Sequence, residues 1–180
     1  MADPLTYSFY GTTIPILKNI ASSAISILTT AQNELSSAAP GTFPSETELL
    51  DHNFTDMLPL RHPSLTLTTS TPQFNPAFAD FSAAIDFFKA CIAAYDSVDE
   101  EALNAAANKP VDVPFESMGK TLHMAGLADY FHGLCVPNAY FHLNALYMLL
   151  RSKGIKLGKG VYVGTFMSEQ QKKDWAPLRG

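Results

Sequence analysis

Apolar residues along this chain recur mostly at the three- and four-residue spacing of helices. Phe78, Phe81, Ile85, Phe88, Ile92 and Tyr95 step by three and four without a break, which predicts a helix with one continuous apolar seam. Leu17, Ile20, Ala21, Ala24, Ile25 and Leu28 follow the same rule in a first long helix. Pro15 removes a backbone donor there, so the regular part starts near Ile14 or follows a kink, and it ends at Pro40 and Gly41. Ser45 followed by Glu48 is a capping-box pattern, and it opens a helix over 46–58 that Pro59 ends. His52 and Asp56 are spaced to share a proton or metal ion, but they fall nearly opposite the apolar face and read as a solvated pair.

The organising stretch is 135–154, CVPNAYFHLNALYMLLRSKG. Pro137 suits a first helical turn, while Lys153 and Gly154 supply a basic end and a terminator. At roughly 100° per residue, Asn138, His142, Ala145 and Leu149 share one face, and Tyr140, Asn144, Tyr147 and Arg151 form a narrow polar stripe opposite. A helix this apolar belongs in the centre of its domain, with His142 pointing inward and Asn138 one turn before it.

Between the helices the pattern breaks. Residues 61–76 hold three prolines and six Ser or Thr residues and read as a long loop, a candidate lid. In 110–136, VDVPF and KTLHM are short extended pieces and LADYFHGL a short helix with Gly133 near its end. The glycines at 158, 160 and 164 fit turns, not the GxxxxGK[ST] of a phosphate loop. Residues 1–167 are predicted to form one domain, and 168–180 a polar tail in which Trp175 is the exception.

Composition narrows the function. At 180 residues, 47% hydrophobic and 16% charged, the chain suits one globular domain. A net charge of −5 argues against nucleic acid as a partner and favours a small molecule. Arg151, Lys153, Lys156 and Lys159 can hold a carboxylate or phosphate, or simply complement a helix C-terminus. Cys91 and Cys135 lack the spacing of a zinc knuckle or disulfide scaffold. With no basic leader and no apolar run of about 20 residues, the expectation is a cytoplasmic protein without a membrane partner.

His142 is the candidate for chemistry. It is either a core histidine satisfied by a carbonyl or the Asn138 amide, or a general base at the floor of a pocket, or a metal ligand. His123, Tyr130 and His132 lie just before its helix, where loop groups on a rigid scaffold form sites.

DMLPL at 56–60, PNAYFH at 137–142 and LLRSKGIKLGKGVYVG at 149–164 together resemble the DUF1993 family. The resemblance implies an all-α, DinB-like, up-and-down four-helix bundle, often dimeric, here with long irregular loops before the last helix. The wider superfamily includes enzymes that hold a divalent metal through three histidines, two of them as HxxxH on a late helix. In this chain Asn138 stands in the first of those positions, and an amide is a poor ligand for zinc or nickel. The expectation is therefore no metal and no cofactor. It is a cofactor-independent acid/base enzyme, of isomerase, dehydratase or cyclase type, acting on an apolar, aromatic or polyketide-like metabolite. His142 acts as base, Asn138 orients it or polarises a carbonyl, Tyr130 supplies the acid, and His123, His132 and Phe141 contact substrate. A non-catalytic homodimer and a DinB-like metalloenzyme using a thiol or polar substrate are the alternatives.

Overall fold

The computed structural model describes residues 6–53, 78–115 and 119–178. It is mainly helical, and α1 (Ile14–Ser37) is the element that the others pack around. Pro15 sits in its first turn, as its missing N–H allows. Leu17, Ile20, Ala24, Ile27, Leu28 and Ala31 are buried along it. By length and composition α1 could cross a membrane, yet 61% of that apolar stretch is buried inside the protein. Its serines and threonines had disguised this length as short apolar runs.

The capping box at Ser45 forms as expected. Its hydroxyl accepts the Glu48 N–H at 3.3 Å and the Glu48 carboxylate accepts the Ser45 N–H at 2.8 Å. The helix it opens, α2 (Glu46–Leu50), is shorter than predicted, with Asp51 as its C-cap and no helix at 52–53. The candidate lid at 61–76 and the Asp56 partner of His52 lie outside the described residues.

The apolar seam becomes α3 (Phe81–Asp96), capped by the Asp80 carboxylate and packed on α1, with the Lys18–Asp96 ion pair at 2.7 Å joining their ends. A further helix, α4 (Glu100–Ala106), follows where no element was predicted. Asp99 caps it at 2.6 Å and nothing in it is fully buried, so no apolar period marks it.

The two extended pieces pair, which corrects the all-α expectation. β1 (Val111–Phe115) and β2 (Lys120–Met124) form an antiparallel hairpin with Val113 opposite Leu122, and Gly119 takes the turn at φ +59°.

From Leu127 to Ser152 the backbone is one unbroken helical run: α5 (Leu127–Tyr130), a π turn (Phe131–Cys135) and α6 (Val136–Ser152). Gly133 therefore lies within the run and does not end it. The π turn has a local cause. Pro137 has no N–H for the Gly133 carbonyl and its ring crowds that oxygen, so the turn widens and Val136 donates to Phe131, five residues back. Gly154, at φ +89°, ends α6 as predicted.

Beyond it, Ile155 and Leu157 are buried, and the glycine-rich segment holds a short helix, α7 (Lys159–Val163), in place of turns alone. α7 packs on α1, where Ser23 donates to the Tyr162 carbonyl at 2.9 Å. The tail folds as α8 (Glu169–Asp174) on a Ser168–Gln171 capping box, while Trp175 is exposed.

Candidate functional site

α6 buries Ala139, Leu143, Leu146, Leu149 and Leu150. This face is rotated by about 80° from the one predicted through Asn138 and His142, counting 100° per residue. Asn138, His142 and Ala145 are only partly buried and line one flank. The opposite flank carries Tyr140 and Tyr147, which were expected on a solvent stripe. Instead they pack on the C-terminal segment: Tyr140 stacks on Phe166 at 5.9 Å, Phe166 stacks on Tyr162, and Tyr147 meets Tyr162 edge-on. Arg151 and the Tyr147 hydroxyl both donate to the Leu157 carbonyl. Thus the first residue of the basic cluster fastens the chain after α6.

His142 is half-buried beside the ring of Phe141, which is 53% exposed. Burial lowers its pKa below the ordinary histidine value, so the neutral ring predominates at neutral pH. Neither ring nitrogen meets a hydrogen-bond partner among the described residues. Its half-burial on the flank of α6 sets it apart from a fully enclosed core histidine.

Tyr130 belongs to a different group. Its hydroxyl neighbours the Cys135 thiol across the π turn. Cys135 in turn neighbours Tyr95 of α3, as does Cys91 one helical turn before Tyr95. Burial pushes both thiols up to about 11 and Tyr130 to about 12, and raises Tyr95 too. All four groups stay protonated at neutral pH, which makes the cluster a packed seam of weak donors and not an activated nucleophile. Cys135 and His142 fall on the same side of α6, seven residues or about 10 Å apart along its axis. Tyr130 is therefore held a full two turns from the histidine it was expected to assist.

The other two candidate histidines, His132 and His123, are exposed and separate. His132 contacts the Thr12 hydroxyl at 3.1 Å and meets the Phe9 ring edge-on. Thr12 already donates to the Ser8 carbonyl at 2.9 Å, so His132 Nε2 carries the proton in its bond to Thr12. His123 pairs at 2.6 Å with Asp112 directly across the hairpin, with both side chains mostly in solvent. Sequence spacing gave no hint that Thr12 meets His132 or that Tyr95 meets Cys135, because these pairs are joined by the tertiary fold.

Among the described residues no three His, Cys, Asp or Glu side chains converge, and Asn138 occupies the place of the first HxxxH ligand.

A search of the curated proteins finds no match. The profile of the family described as a domain of unknown function, DUF1993, matches residues 9–163. That match runs from the turn before α1 to the end of α7 and covers most of the chain, which therefore belongs to the DUF1993 family.

Proposed function

We propose that this chain is a small-molecule-binding protein on a DinB-like, up-and-down four-helix bundle, and that it performs metal-free acid/base chemistry on an apolar, aromatic or polyketide-like metabolite in the cytoplasm. The observation that carries this reading is His142: burial keeps its ring neutral, and its nitrogens are not engaged by the described residues. A neutral imidazole beside an apolar surface is equipped to take a proton from carbon or oxygen. Asn138 lies one turn earlier on the same flank and Phe141 is exposed beside it, which supports roles for them in polarising a carbonyl and meeting the apolar body. Isomerisation, dehydration or cyclisation needs little more. Tyr130 fits the acid role less well than expected, since it sits against Cys135.

The test is a metabolite screen by thermal shift on wild type and His142→Gln. A ligand at 100 times its dissociation constant stabilises by about 2.7 kcal/mol, and the variant should lose most of that shift together with any turnover. Equal affinity and turnover in a folded His142→Gln protein refutes the role.

A second reading, a non-catalytic homodimer, is favoured by one feature. Leu134, Phe141 and Met148 are 44%, 53% and 54% exposed and seven residues apart, an uncharged stripe along the π turn and α6. Native mass of wild type against Phe141→Glu separates the readings, because only a dimer through this stripe dissociates.

A further inference from the structure

A groove of about 300 Å³ opens at the C-terminal end of α1, where the chain turns through Pro40 and Gly41 into α2. Its described walls are largely apolar, with Leu35, Ala38, Phe43 and Pro44 among them and the Glu46 side chain at one edge. That volume matches the lower end of small-ligand sites.

Among its described lining residues only Glu46 is charged. α1 ends here with no basic residue in its last turn, so the negative pole of the helix is uncompensated by its own side chains. Glu46 accepts the Phe81 N–H through one carboxylate oxygen and forms no ion pair among the described residues. Glu48 differs: the capping box holds it and Lys153 lies near it. Phe43 is half-buried, and a Cβ added at Gly154 would stand 3.6 Å from its ring, so one side of the ring is already backed by the end of α6. An aromatic face next to a carboxylate attracts a cation with an apolar body and repels an anion.

We propose that this groove binds a small primary amine with an aromatic or alkyl body, its ammonium against Glu46 and the end of α1 and its apolar part on Phe43. It is distinct from the His142 flank: His142 lies twelve residues before Gly154, about 18 Å along the helix.

Phenethylammonium is the probe, phenethyl alcohol its uncharged counterpart and 3-phenylpropionate its anionic one. Amide shifts in two-dimensional NMR should saturate over residues 38–46, with the amine binding about fivefold or more tightly than the alcohol and the anion not saturating. Glu46→Gln keeps an acceptor for the Phe81 N–H and should erase the preference for the amine. Equal binding of amine and alcohol, shifts confined to another region, or no saturation at millimolar concentration overturns the proposal. Should Glu46→Gln fail to fold, salt decides on the wild type. The preference must shrink at about 1 M ionic strength, and a preference unchanged by salt refutes the ion pair.

Discussion

The backbone N–H of Val136 bonds to the carbonyl of Phe131, five residues back, immediately before Pro137. This one widened turn sets which side chains of the run 127–152 face the core. Phe131 and Cys135, at the two ends of this turn, are both buried.

If the turn is anchored by that burial, Phe131 is its costly residue. Its ring is 5% exposed and meets Phe9 and Tyr130 edge-on. Phe131→Ala should lose about 3–5 kcal/mol in urea unfolding, the usual range for emptying a buried phenylalanine site. A loss below about 1 kcal/mol would mean that the proline alone dictates the turn.

How much of this could be read beforehand depended on the kind of signal. α1, the seam of α3, the Ser45 cap and the Gly154 stop were legible because each is written in local spacing or backbone chemistry. So were the two strands, as short extended pieces, although their pairing was not foreseen. α4 and α8 were missed because they are short and held by caps, Asp99 and Ser168, with no buried face to give a period. The rotation of α6 was misjudged for the opposite reason. Apolar residues surround it so completely that the pattern left its inner face undetermined, and the partners that decide it, α1 and the Phe166 segment, come from elsewhere in the chain. The site divided for the same reason: Tyr130 and Cys135 meet Cys91 and Tyr95 across the fold, out of reach of any local motif.

The two cysteines should be inert in the folded protein. Both are buried, and burial pushes each thiol up to about 11, so the reactive thiolate is scarce at neutral pH. Ellman's reagent at neutral pH should titrate neither thiol until denaturant is added, and both thereafter. Fast labelling of Cys135 in native protein would show an activated thiol at the π turn. Tyr130→Phe sharpens the test, since the Tyr130 hydroxyl holds Cys135 lower than burial alone would. Its removal should leave the thiol less reactive still.

Gly154→Ala isolates a backbone effect. The residue sits at φ +89°, where a side chain is strained, whereas the added methyl would meet the Phe43 ring at an ordinary 3.6 Å. The cost is then conformational, about 1–2 kcal/mol by chemical unfolding, with the fold retained. A loss well beyond that would place the strain in packing against Phe43.

His142 makes a prediction whose sign is fixed by its surroundings. Burial disfavours the charged ring, so the folded-state pKa lies below the ordinary value of about 6.5. Between those two values the unfolded chain binds the extra proton, and stability therefore rises with pH across that window. The full contribution is present above about pH 6.5. It declines as pH falls through the folded pKa and is level beneath it. His52 is shifted in the same direction, by its own burial first and by Lys153 second. It stays in both proteins when wild type is compared with His142→Gln, so the difference between their urea stabilities from pH 7.5 to 5 isolates His142. The variant's profile should be the flatter of the two, and a ring titration by NMR should place the wild-type midpoint below 6.5. A midpoint at or above 6.5 would show the ring solvated in the folded state, removing both the stability effect and the neutral base on which the proposed chemistry depends.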